Sequence, residues 1–236
     1  MRIFKHFLTK LCVTLLFCLI LLSNSNAKNT KLTKGNSYEN YIIWKGFKFN
    51  LPEGEWIYYD SDLWDFENWR FKSINFISTS NRTIKGHIDI TYLSSGGKWT
   101  HYLGLYLLNA AKNDRHDNCT LRPEYFYSKL QYEGINLNCF TTRHLDLKKE
   151  LYYPDDPEVT LPRIKSYIKN NSLTLPKTGL AYDGIYYSHK KDKGMGIQII
   201  INPEFYGAPK TLYGSEDKSE YHRNNIDNYP IKKIFF

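Results

Sequence analysis

Cysteine is scarce in this 236-residue chain: there are four, and two of them, Cys12 and Cys18, fall inside the opening apolar run. That excludes a disulfide-dense scaffold. Beyond the run Leu11 to Leu22, no apolar stretch approaches the roughly 20 residues that a membrane-spanning helix needs. Blocks of Lys or Arg are absent too, although the formal net charge is +8, so the usual footprint of a nucleic-acid site is missing. There is no Gly-rich phosphate loop joining a strand to a helix, no Gly-x-Ser-x-Gly elbow and no His-Glu-x-x-His motif. The commonest nucleotide, hydrolase and zinc-protease signatures are therefore gone, and no motif requires a cofactor.

What is present begins at the N-terminus. Arg2, Lys5 and Lys10 form a positive region, Leu11 to Leu22 an apolar one, and Ser25-Asn26-Ala27 supplies a small-x-small site. This order is that of a signal peptide over residues 1–27, with cleavage after Ala27. The mature chain is expected to be exported, periplasmic or secreted, and to carry no transmembrane segment. Phe17 precedes Cys18, so the small residue of a lipoprotein-type site is missing. Losing three basic residues leaves the mature surface only mildly basic. Cys119 and Cys139 remain, an even number in an oxidising compartment, which implies one disulfide between them. A zinc site would need more ligands: His116 lies near Cys119, but nothing comparable accompanies Cys139.

Aromatics are abundant, with 20 Tyr, 13 Phe and 5 Trp, and rings suit half-buried strands. Residues 28–40 are polar and read as a flexible leader. From Tyr41 to Phe236 the pattern is that of a single α+β domain, with an irregular or helical C-terminal extension from about residue 203. Tyr41 to Phe49 reads as a strand, Leu51-Pro52-Glu53-Gly54 as a turn and Trp56 to Tyr59 as a second strand. Ser61 to Arg70 reads as a loop. Phe71 to Ser78 and Ile84 to Leu93 form a hairpin around Ser80-Asn81-Arg82. Trp99, Tyr102, Leu103, Tyr106, Leu107 and Ala110 recur at helical spacing.

Residues 123 to 132 fit a short helix or a strand equally well. From Ile135 to Leu147 the odd positions are apolar, placing Cys139 inward. Thr160 can cap a helix with Leu161, Ile164, Tyr167 and Ile168 on its apolar face. Ala181 to His189 and Met195 to Ile201 then form a hairpin. The expected fold is an antiparallel sheet of six to eight strands with two or three helices packed on it.

Two stretches, Leu51-Pro52-Glu53-Gly54-Glu55-Trp56 and Asn202-Pro203-Glu204-Phe205-Tyr206-Gly207 with Ser219-Glu220-Tyr221-His222 after it, resemble a family of exported bacterial proteins without an established activity. The resemblance implies a bacterial envelope location and supplies no catalytic residues. The order of elements is similar to the PsbP/Mog1-like fold. Locally, Asn202-Pro203 ends a strand by removing a ladder donor, so Glu204 and His222 read as structural rather than as an acid-base pair.

Two groups of residues are candidates for binding. Trp64 and Trp69 alternate with Asp62, Asp65 and Glu67, as in a glycan groove, and glycosidases use paired carboxylates. On the strand through Ile84, Ile88, Ile90 and Tyr92, the other face carries His87, Asp89 and Thr91. Asp114, His116 and Asp117 crowd one connection but do not complete a cation site. An outer-membrane barrel is excluded: stepping back by two from Phe236 meets Lys232 and Pro230.

The expected function is that of a non-catalytic envelope binding or assembly module with a protein or surface polymer as partner and no role for nucleic acid. The alternative is an envelope hydrolase acting on a glycan. The intact mass of the unreduced, denatured protein should be that of a chain starting at Lys28 and lacking two hydrogens. Retention of Met1, or a mass with two free thiols, contradicts export or the disulfide respectively.

Overall fold

The computed structural model describes residues 28–66, 69–95, 125–133, 136–147, 161–188 and 193–210, together with 218, 220 and 224–228. Among the described residues, ten strands, all paired antiparallel, form an eight-stranded and a two-stranded sheet. One helix of seven or more residues occurs among the described residues, α1 (Leu161–Asn170). The fold is therefore mainly β, which corrects the α+β expectation of two or three helices on a sheet. The expected helix at 98–112 lies outside the described residues. Two other segments went to strand. Of the segment expected as a loop, residues 61–66 and 69–70 are strand, and of the ambiguous 123–132 segment residues 125–132 are extended, because Tyr, Phe and Trp favour a pleated, half-buried surface even with charges interleaved.

The chain divides into two compact units, Met1–Tyr59 and Asp60–Phe236. In the first, β2 (Tyr41–Trp44) and β3 (Phe47–Asn50) form a hairpin. Reading this stretch as one strand overlooked the turn at Lys45-Gly46, where both residues have positive φ, 54° and 78°. That is the conformation a two-residue hairpin loop requires. The polar residues before it are tied in: Thr30 exchanges bonds with Ile43 through its amide and hydroxyl, and Asn29 accepts from the Gly46 amide. Further along, β1 (Ser37–Tyr38) pairs with the start of β4 (Trp56–Phe66). The Leu51 to Trp56 motif closes on itself, since the Trp56 indole donates to the Pro52 carbonyl at 2.8 Å and Gly54 turns the chain at φ 112°. Ile42, Phe49, Trp56 and Tyr59 are buried.

The second unit is built from two meanders. One continues β4 into β5 (Trp69–Ser80) and β6 (Thr83–Ser95), and the other runs β7 (Tyr125–Glu133), β8 (Asn136–Asp146), β9 (Thr178–Ser188) and β10 (Lys193–Ile201). They join where β10 pairs with β6, giving the order β4-β5-β6-β10-β9-β8-β7. The β5–β6 turn is the one expected, with Asn81 and Arg82 at φ 49° and 59°. A bulge between Ser78 and Thr79 then shifts the register by one residue. Ile164 of α1 is buried, as its apolar face predicts.

After β10, Asn202 ends the strand. Its amide donates to Lys85 O, its side chain accepts from Glu204 N, and a 3-10 turn over Pro203–Tyr206 ends at Gly207 with φ 90°. Nearby, Thr174 bonds across to the Arg82 carbonyl and the Ile84 amide. Most of the expected irregular or helical extension beyond Lys210 lies outside the described residues.

Gly179 on β9 is held by packing rather than by a turn. A Cβ there would stand 2.5 Å from Ile200 Cγ2 and 3.2 Å from Leu147 Cδ1. Gly179→Ala should lower stability by about 1–3 kcal/mol through overpacking, read as a lower urea midpoint with an unchanged m-value.

Candidate functional site

The two candidate groups fare differently. Asp62 and Asp65 both lie on β4. Three residues apart on one strand, they point to opposite faces, so the structure does not bring them together as a carboxylate pair. Asp62 Oδ1 accepts from the Leu63 amide at 2.8 Å. Asp65 meets Arg70 at 2.9 and 3.3 Å on the surface, and the guanidinium bond holds its carboxyl below the usual range. Glu67 and the side chains of Trp64 and Trp69 lie outside the described residues, as do Asp114, His116, Asp117, Cys119 and His222. Glu204 is exposed.

His87 and Asp89 do share a face, and pairing across the sheet gives them company that the local sequence did not reveal. Asp89 is opposite Asn75 on β5 and Gln198 on β10; Gln198 is opposite Asp183 on β9, and Asp183 opposite Thr141 on β8. Paired residues of neighbouring strands project to the same side, so these five form a polar row across the sheet. The adjacent rows add Ser73, Thr91, Gly196, Ile185 and Cys139 on one side, and Ile77, His87, Ile200, Ala181 and Arg143 on the other.

Polar contacts knit part of this row. The Thr91 hydroxyl donates to Asp89 Oδ1 at 2.8 Å. Gln198 Nε2 donates to Asp183 Oδ1 at 2.8 Å and Arg143 Nε to Asp183 Oδ2 at 3.0 Å. The Arg143–Asp183 end reaches solvent, with side chains 25% and 27% exposed. At the opposite end Ser73 and Asn75 are wholly buried. Ser73 Oγ and both polar atoms of the Asn75 amide have no hydrogen-bond partner among the described residues.

Apolar clusters lie to either side on the same face. One holds Leu93, Leu137, Cys139 and Tyr187 with Phe71, Leu130 and Ile185 against it. The other holds Leu145, Leu147, Ala181 and Ile200. Between them Gly196 carries no side chain, and among the described residues a Cβ there would meet only Thr91 Cβ, at 3.8 Å.

Ser73, Asn75, Arg143, Asp183, Gln198 and Gly196 were not singled out from the sequence. The alternation of Ser73 and Asn75 with Ile74 and Phe76 was the available signal. Among the described residues, no cluster of three or more His, Cys, Asp or Glu could hold a metal ion, and no helix is long and apolar enough to cross a membrane. No family model, curated protein or solved structure matches the chain.

Burial pushes the His87 imidazole down to about 4 from its ordinary 6.5. Between those values the unfolded chain takes up a proton that the folded one refuses, so stability is lost as pH falls from about 6.5 to about 4. The loss assigned to His87 is about 3 kcal/mol. Urea unfolding of wild type and His87→Leu across this range should show a steeper fall in the wild type. Parallel curves would contradict the assignment.

Proposed function

We propose that the protein is an exported, non-catalytic binding module whose site is the polar row from Asp183 to Asn75, with Arg143 and Ser73 beside it in the adjacent rows. The observation that carries this reading is the Asn75 amide, fully buried with neither end partnered among the described residues. Buried polar groups are nearly always satisfied, and an exception costs about 1–3 kcal/mol. A cost of that size persists where a bound group repays it. The partner in this reading is an envelope protein or surface polymer that inserts a polar group into the row.

Binding fits the carboxylates better than catalysis does. Asp183 engages both oxygens within the protein, one accepting from Gln198 and the other from Arg143. Of the carboxylates Asp62, Asp65 and Glu67 invoked for the glycan-hydrolase alternative, Asp62 and Asp65 point to opposite faces of β4, and Glu67 lies outside the described residues. The envelope location rests on the signal-peptide pattern, and the inward position of Cys139, 2% exposed, suits a bracing disulfide to Cys119.

Replacing the unsatisfied groups separates a binding role from a structural one. Ser73→Ala, which is nearly isosteric, and Ser73→Ala/Asn75→Val should each melt above wild type, the double variant by up to about 3 kcal/mol. Lower melting of both would mean that these groups hold the fold together, and the proposal would fail.

A further inference from the structure

We infer that the signal peptide must be removed before residues 28–36 dock on the first unit, because docking carries the bond after Ala27 out of a peptidase's reach; the inference rests on the export reading above. The polar leader is not a loose tether. Thr30 lies along β2, its amide donating to Ile43 O at 2.7 Å and its Oγ1 accepting from the Ile43 amide at 2.8 Å. Asn29 Oδ1 accepts from the Gly46 amide at 3.1 Å, which fixes the chain against the tip of the β2–β3 hairpin. Further on, the Tyr38 hydroxyl donates to Lys31 O and accepts from the Thr33 amide. Gly35 and Asn36 close the segment against Tyr58, whose carbonyl accepts from the Gly35 amide and whose amide donates to Asn36 O.

Processing hydrolyses the Ala27–Lys28 amide: water adds its hydroxyl to the Ala27 carbonyl carbon and a proton to the Lys28 nitrogen, and the C–N bond breaks. A peptidase cleft takes the residues around such a bond as an extended strand, through their backbone groups. Lys28, the first residue past the bond, is exposed. The second and third, Asn29 and Thr30, are held by the hairpin. Two residues span at most about 7 Å, so a cleft wall that reaches further meets β2 and the Lys45-Gly46 turn. The Thr30 N–H that an extended complex would use is already given to Ile43.

An order of events follows. Cleavage has to act on a chain whose leader is undocked, and proteolysis of a folded protein tracks the population of that released form. The bonds from Asn29 to Asn36 make it scarce. Once the bond is cut, Thr30 covers the backbone groups of Ile43, which removes an open strand edge from pairing with other chains.

The test uses the full 236-residue chain in dodecyl maltoside micelles with a purified bacterial signal peptidase. In one arm the chain refolds before the peptidase is added; in the other it is diluted from urea straight into the peptidase. The readout is the ratio, refolded to diluted, of the initial rates at which the product beginning at Lys28 appears by mass. This ratio should be about one-tenth or less for the wild type. It should approach one for Asn29→Ala/Thr30→Pro, which removes the Asn29 acceptor, the Thr30 N–H and the hydroxyl together. Thr30→Val, which keeps the N–H, should fall between. Trypsin should cut the refolded wild type after Lys31 and Lys34 slowly, and the double variant about tenfold faster.

A wild-type ratio near one, or rapid trypsin cutting after Lys31 in the refolded wild type, overturns the inference and leaves the export reading standing, since the diluted chain is still cut after Ala27. A double variant as slow as the wild type places the block outside the leader and overturns it too. No cut after Ala27 in either arm overturns the export reading and the inference with it. The wild-type ratio and Thr30→Val, a near-isosteric change, decide the matter where the double substitution unfolds the unit.

Discussion

The pairing of β6 with β10, Gly86 to Leu93 against Ile201 to Gly194, is the contact on which the larger unit depends. Each meander pairs strands that are consecutive in the chain, although β8 and β9 are separated by the stretch that carries α1. Only this seam turns them into one sheet and covers two backbone edges that would otherwise invite pairing with another chain. The seam also assembles the polar row. Asn75 and Asp89 belong to one meander, Gln198, Asp183, Thr141 and Arg143 to the other, and the register of β6 on β10 aligns them.

That alignment has an unusual energetic profile. A sheet face normally buries apolar residues continuously, and here two apolar clusters are separated by carboxylates, amides and hydroxyls. The solvent-reaching end compensates its charges internally, with Asp183 between an amide and a guanidinium. The buried end does not, at Asn75 and Ser73. Isoleucines on the opposite side of the same strands, Ile74, Ile88 and Ile90, are almost wholly buried. Apolar packing on that side and in the two flanking clusters offsets the cost of the unsatisfied groups.

Local signals in the sequence were legible where short-range physics decides the outcome. The Asn81-Arg82 turn, the alternation of His87 and Asp89 against Ile88 and Ile90, the hairpin ahead of Met195, the helix carrying Ile164 and the Asn202-Pro203 stop all follow from turn chemistry or periodicity. The mainly-β class was missed because charge was read as loop at residues 61 to 70 and because Gly46 was overlooked as a turn. The site was missed for a different reason. Counting outward from Ser80 and Thr83 without the Ser78/Thr79 bulge would set Asn75 against Ile88, on the wrong face; the bulge moves it opposite Asp89. A one-residue slip inverts every side chain, and neither the bulge nor a seam joining β6 to a strand about a hundred residues later leaves a local trace.

The distance in sequence between β6 and β10 also governs how the chain reaches its folded state. Contacts this remote are slow to form, since loop closure comes before any reward. During synthesis, the first meander emerges well before the strand that flanks it, and the free side of β6 stays open in the meantime. Asn202 and Thr174 lock on to Lys85, Arg82 and Ile84 only after nearly the whole chain has appeared. The interval before that closure is when the molecule is most exposed to aggregation and proteolysis, and when a chaperone holding extended strands would have the most to protect.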